Sequence, residues 1–277
     1  GCVWQSVCGH ALSPKMPQPS AGRVAAMVLA AGRGERMRPL TDSTPKPLLP
    51  VHGKPLMQWH LEALARSGCT HVVANTAWLG ENIEAAFGDT FESQGARLPM
   101  TYSHEGKDFG GALETAGGIA RALPMLCDGA SNDAEIFWLL AGDVYVPDFE
   151  FDGEAAQRFA ASGRLAHLWL VPNPDHNPLG DFGLQAVPGD GAQTHLALNP
   201  SKDSPLPRYT YSTIGLFSKA LFLAPWCDIP SGNPLGAKAA LAPLLRRAMD
   251  QGQVSAQIYT GRWTDVGTPE RLRQLHS

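Results

Sequence analysis

Val24-Ala25-Ala26-Met27-Val28-Leu29-Ala30 runs directly into Ala31-Gly32-Arg33-Gly34-Glu35-Arg36-Met37-Arg38-Pro39-Leu40-Thr41. A short, unbroken apolar run stopped by glycines reads as a strand buried on both faces. Such a strand calls for a parallel sheet with helices on either side, and the turn leaving it stands at the sheet's carboxyl edge, where α/β proteins bind ligands. Glycines there let backbone N–H groups approach an anion, while the arginines and Lys46, held between Pro45 and Pro47, add cations. A nucleoside triphosphate suits that combination. The Walker A pattern is absent, and a dinucleotide turn wants a small residue where Met37 stands. A solvated surface turn is the competing reading of Gly-x-Gly by itself.

Outward from this stretch, short aliphatic runs alternate with amphipathic segments, the pattern of an α/β domain. Strands are predicted at Val24–Ala30, His71–Asn75, Met100–Ser103, Ile136–Leu140, Leu165–Val171, Thr210–Phe217 and Ser255–Tyr259. Helices are predicted over Pro55–Arg66, Trp78–Phe87, Leu113–Leu123 and Ala237–Met249, the first with Met57, Leu61 and Leu64 on one face. The proline-rich stretch Asn173–Pro207 predicts loops and a small subsheet. No clean linker divides the chain, so residues 23–277 are expected to form one domain, preceded by a loose extension over residues 1–22 that lacks the basic and apolar regions of a secretory signal.

The chain has 277 residues, 44% hydrophobic and 17% charged, which predicts a folded protein rather than a disordered one. Its net charge of −4 offers no electrostatic footprint for nucleic acid, and no apolar run approaches the ~20 residues of a membrane span. Five cysteines without a CxxC pair fit a reducing cytoplasm, and nine scattered histidines show no zinc-ligand spacing. Two Asp-Phe-Gly triplets stand without the rest of a kinase signature.

Asp143 follows the apolar run Ile136–Leu140, so its carboxylate can reach the glycine turn, and Asp265 follows Trp263 at a second strand-to-turn position. Two carboxylates from distant segments are what Mg²⁺ needs when phosphates and water complete its octahedron; a helix N-cap is the alternative for either one. Gly117 and Gly118 lie in a predicted helix, where glycine costs about 1 kcal/mol relative to alanine, so close approach of a nucleobase or tight packing should account for them.

LAAGRGERMRPLT followed by PKPLLPV resembles the N-terminal signature of the sugar-1-phosphate nucleotidylyltransferases. The similarity continues through Leu113–Gly118, Leu140–Val144 and Trp263–Thr268. Asn75–Leu79, Pro172-Asn173-Pro174 and Gly180-Asp181-Phe182 resemble the branch that joins UTP to N-acetylmuramate 1-phosphate in bacterial peptidoglycan recycling. The resemblance implies a Rossmann-like, GT-A-like fold with a mixed, mainly parallel sheet, a nucleoside triphosphate and a sugar 1-phosphate as partners, and a monomer or small homo-oligomer. It implies that Ala31, Gly32, Gly34 and Glu35 hold the triphosphate, that Arg36 and Lys46 neutralise its phosphates, and that Asp143 and Asp265 bind Mg²⁺. Asn75, Gly117, Gly118, Ala141 and Asn173 are implied contacts to base or sugar. Mannose 1-phosphate with GTP, and a non-catalytic sugar-nucleotide sensor, are the other readings. The Glu-Lys-Pro of larger relatives is replaced by Asn199-Pro200-Ser201-Lys202 and Arg208, and the ending after Thr268 predicts no appended β-helix.

Overall fold

The computed structural model describes residues 24–127, 135–187 and 193–277. The predicted extension over residues 1–22, with Cys2 and Cys8, lies outside the described residues. From edge to edge, the ten strands of the main sheet are Gly183–Ala186, His195–Leu198, Val254–Ile258, Ala166–Val171, Thr210–Ser218, Ile136–Ala141, Ala25–Ala30, Val72–Thr76, Ala96–His104 and Thr90–Ser93. His195–Leu198, Thr210–Ser218 and Thr90–Ser93 run against all the others. This is a single α/β domain with a mixed sheet covered by helices.

The first strand is parallel to both neighbours, Val72–Thr76 and Ile136–Ala141. Ala26, Val28 and Ala30 pack on one face with Met57, Leu61 and Leu64 of helix Leu56–Ser67. Ala25 and Met27 pack on the other with Ala116, Ile119 and Leu123 of helix Glu114–Leu126. Both faces are covered, which is why the strand has no polar alternation. Burial stabilises each large aliphatic side chain by about 1.5–3 kcal/mol. Helix Leu56–Ser67 is entered from Pro55 and stops at Gly68, whose left-handed φ of 78° lets its N–H reach the carbonyls of Ala65 and Leu64.

Several predicted elements are corrected. Thr210–Ser218 lies antiparallel between two strands that share a direction, an order that apolar runs do not encode. Within the proline-rich stretch, Gly183–Ala186 and His195–Leu198 extend the main sheet instead of forming a separate subsheet. The helix predicted from Ala237 begins at Leu241, because Pro243 has no N–H to give the Ala239 carbonyl, which accepts instead from the N–H groups of Ala116 (2.9 Å) and Gly117 (3.1 Å). Helix Gly153–Ser162 is an addition, capped by Asp152, whose Oδ1 accepts from Glu154 N at 2.9 Å.

The parallel strands place four turns at one carboxyl edge: Ala31–Gly34, Ala77–Leu79, the turn at Glu105, and Gly142–Asp143.

Candidate active site

The glycine turn is built to hold its shape without a ligand. Gly34 adopts φ 70°, and a Cβ there would sit 2.8 Å from Thr41 Cγ2, so glycine is required on two counts. The Thr41 hydroxyl donates to Gly34 O at 2.7 Å. Arg33, counted in the sequence among the phosphate-facing cations, stacks on Trp78 at 3.8 Å and donates to Thr41 O and Asp42 Oδ1. Trp78 Nε1 donates to the same Thr41 carbonyl at 2.7 Å. Arg38 is likewise spent on Asp42, at 2.7 Å, and these two arginines hold the Asp42 carboxyl below its ordinary range. Arg36 makes no ion pair or hydrogen bond among the described residues. It lies beside Gly267, where a Cβ would stand 3.1 Å from its Nη2. Glu35 is exposed and faces Arg33 and Arg38.

Lys46 is buried, and its Nζ meets Asp143 Oδ2 at 2.8 Å. Leu29 and Ala141 are register partners, and Gly142 N donates to Leu29 O at 2.8 Å, which sets the turn carrying Asp143 beside the glycine turn; Lys46 comes to it from the short helix Lys46–Leu48. Asp265 arrives by a two-residue bridge in which it pairs with Val144, and Val266 N donates to Asp143 O at 3.2 Å. The Asp265 carboxylate faces His176 at 3.4 Å and Arg271 at 3.7 Å. Beneath this bridge, buried His60 donates from Nε2 to Val144 O at 2.7 Å, and burial pulls its pKa down to about 4, so the ring is neutral. The structure thus brings Arg36, Lys46, Asp143 and Asp265 to one region.

A cavity of about 240 Å³ lies over the turn, lined by Gly32, Lys46, Asn75, Glu105, Ala141 and Asp143 among others. A second, of about 670 Å³, shares Leu29, Glu114, Thr115, Ala141 and Asp143 with it. Nothing stands within 4 Å of a Cβ on Gly32, so no packing demand explains glycine at that position. Ala31 is buried and lines the smaller cavity.

Other predicted contacts are otherwise engaged. Asn75 reaches the cavity, but its Oδ1 accepts from Ala30 N at 2.8 Å, so it ties the end of the first strand. Asn173 donates to the carbonyls of Pro178 and Arg208 and accepts from Thr210 Oγ1, so its amide stabilises its own loop. Gly117 and Gly118 line neither cavity. A Cβ on Gly117 would sit 2.5 Å from Ala237 O, and one on Gly118 would sit 3.0 Å from both Asn75 Nδ2 and Glu105 Oε1, so packing accounts for both. Arg208 is engaged with the carbonyls of Pro200 and Ser201.

Sequence reasoning missed Glu105. It is fully buried, its Oε1 accepts from Leu113 N at 2.9 Å, and Oε2 has no partner among the described residues. Burial raises its pKa against the opposing pull of the Leu113 N–H and the Asn75 amide. Its position directly after a strand, the criterion that singled out Asp143, was the available signal.

The chain matches the Nucleotidyl transferase family model over residues 25–277. An N-acetylmuramate alpha-1-phosphate uridylyltransferase of Neisseria meningitidis serogroup B is 44% identical over 255 residues, covering 91% of this chain and 96% of that protein. A mannose-1-phosphate guanylyltransferase catalytic subunit beta of Danio rerio is 26% identical over 88% of this chain and 61% of its own length. A solved UDP-glucose pyrophosphorylase from Acinetobacter baumanii is similar in fold, with a TM-score of 0.66 at 14% identity, over 91% of this chain and 92% of that one.

Proposed function

The chain belongs to the nucleotidyl transferase family, and from that premise we propose that it transfers UMP from UTP to N-acetylmuramate 1-phosphate, forming the UDP-sugar and pyrophosphate. The choice of base and sugar is supported by the relative that shares 44% identity over nearly its full length. The observation that carries the chemistry is the Lys46–Asp143 pair, at 2.8 Å, beside the bare glycine turn and at the junction of two cavities.

A phosphate oxygen of the sugar 1-phosphate is already anionic at neutral pH, so no protein nucleophile is needed. It attacks the α-phosphorus in line, the bond to the β,γ-pyrophosphate breaks, and pyrophosphate leaves. What the chain supplies is alignment and relief of charge. Backbone N–H groups of Ala31–Gly34 face the triphosphate where Gly32 leaves the main chain bare. Lys46, restrained by Pro45 and Pro47, directs its ammonium to the phosphate being transferred, and Arg36, with no acidic partner among the described residues, neutralises the departing pyrophosphate. His60 holds the Val144 carbonyl and with it the segment that carries Asp143.

Asp265 pairs with Val144, the residue after Asp143, so the bridge brings two carboxylate-bearing segments together; that donor set fits a divalent cation such as Mg²⁺, which takes one or two carboxylates and completes its shell with phosphate and water. Bound there, the cation would offset negative charge on the phosphates. No helix among the described residues is long and apolar enough to cross a membrane, and we place the protein in the cytoplasm, where UTP is available.

The test is pyrophosphate release from UTP or GTP, each with N-acetylmuramate 1-phosphate or mannose 1-phosphate. Product from UTP with the muramate is the expected result. Turnover of GTP with mannose 1-phosphate alone would replace this assignment, and tight UTP binding without turnover of either sugar would favour a sensor.

A further inference from the structure

The larger cavity contains polar groups that the transfer chemistry does not use. Its walls include Asp143, Asp181, Tyr211, Thr213 and Arg246. The Tyr211 hydroxyl and Thr213 Oγ1 are buried with no hydrogen-bond partner among the described residues. Both oxygens are shut off from the cavity itself, so these residues shape its wall through their other atoms. Thr213 also sits at φ 66°, which a β-branched residue adopts only when its surroundings impose it. The register of its strand shifts between Tyr211 and Gly215, and Trp263 Nε1 fixes the distorted segment by donating to Ser212 O at 3.0 Å. A bulge of this kind re-aims side chains beside a site.

Arg246 stands on helix Leu241–Asp250, one turn after Ala242, which lines the same cavity. Its neighbour Arg247 is engaged with the Trp226 carbonyl. Arg246 has no ion pair or hydrogen bond among the described residues. Of the acids on the same walls, Asp181 accepts from Tyr211 N at 2.8 Å and from Asn177 Nδ2 at 3.2 Å, Asp143 holds Lys46, and Glu114 forms no ion pair among the described residues. The cavity therefore combines a guanidinium with no partner among the described residues and, at the end it shares with the glycine turn, the reacting centre.

We infer that Arg246 is the specificity-determining residue that receives a carboxylate carried by the sugar, the lactyl group that distinguishes N-acetylmuramate 1-phosphate from sugar phosphates bearing a hydroxyl there. This rests on the reading of that sugar phosphate as the acceptor. The substrate is anionic at two places. Its phosphate must lie at Asp143, where the α-phosphorus is attacked, so the rest of the sugar extends into the larger cavity. A guanidinium matches a carboxylate with two parallel N–H donors, whereas a hydroxyl uses neither the charge nor the fork.

The experiment compares N-acetylmuramate 1-phosphate with its lactyl methyl ester on the full chain and on Arg246→Ala and Arg246→Gln, reading kcat/KM with UTP and, by calorimetry, the affinity for each sugar phosphate. Esterification should cost the native chain about 10- to 100-fold in both, and Arg246→Ala should cost a similar factor for the acid. In either variant the ester should be used nearly as well as the acid. Equal losses on acid and ester in the variants, with the native preference for the acid retained, would overturn the inference while leaving the assigned substrate intact. A native chain that turns over neither muramate compound, but does turn over another sugar phosphate, refutes the substrate assignment and the inference together.

Discussion

Lys46 and Asp143 are 97 residues apart in the chain and 2.8 Å apart in space. Sheet register fixes one side of the contact, since Leu29 lies opposite Ala141 and so places Asp143 at the edge of the glycine turn, and the short helix Lys46–Leu48 brings the lysine to it. Lys46 is buried, Asp143 is half-buried, and the Asp143 backbone carbonyl accepts from Val266 N.

Asp143→Asn keeps the shape and removes the charge. It is expected to lower kcat by about 10²–10³-fold, the magnitude typical of losing one electrostatic contact to a transition state, while the circular dichroism spectrum stays native. A variant that turns over UTP at close to the native rate would take Asp143 out of the mechanism.

Two glycines should respond in opposite ways to alanine. At Gly118 the new methyl meets Asn75 and Glu105 at 3.0 Å, and thermal unfolding should register a loss of about 1–3 kcal/mol. At Gly32 the space is open, so stability should stay within about 0.5 kcal/mol, whereas calorimetric UTP affinity should fall at least about tenfold as the methyl intrudes on the phosphate approach. Unchanged UTP affinity in Gly32→Ala would mean that the turn does not cradle the nucleotide.

Acid should weaken the fold through two buried histidines. His60 and His167 both have pKa values lowered from 6.5 to about 4, in each case chiefly by burial. Between those values the unfolded chain binds protons that the folded chain does not. The stabilisation is therefore complete above pH 6.5 and declines as pH falls toward 4, by on the order of 3 kcal/mol for each ring. Urea denaturation across that window should show the decline, and His167→Gln should make it shallower. An identical slope in the variant would exclude His167 as a contributor.

Thr213→Gly should relieve left-handed strain at φ 66° and raise stability by about 1 kcal/mol, while loosening the bulged segment that walls the sugar-facing cavity. The expected kinetic result is a higher KM for the sugar phosphate with the KM for UTP little changed. A variant no more stable than the native chain would show that the surrounding strand bears no strain there.

The legible part of the site was local. The glycine turn, Lys46 between prolines and Asp143 after an apolar run could each be read within a dozen residues, because strand ends and bare backbone leave short-range marks. Asn75, Asn173, Gly117 and Gly118 carried no such mark to separate ligand from scaffold. Asn75 finds Ala30 across 45 residues, and Gly117 lies against the carbonyl of Ala237, in the segment that precedes helix Leu241–Asp250. Arg33 and Arg36 look alike in the sequence, and only Trp78 and Asp42 separate the structural cation from the uncommitted one.

Composition and apolar periodicity determine an α/β chain with its first turn at a carboxyl edge, since burial on both faces of a strand is a property of the residues themselves. Strand order, the reversed direction of Thr210–Ser218 and the arrival of Asp265 beside Asp143 depend on which segments become neighbours. That choice follows from the summed packing and hydrogen bonding of the whole domain, a quantity no single stretch of residues contains.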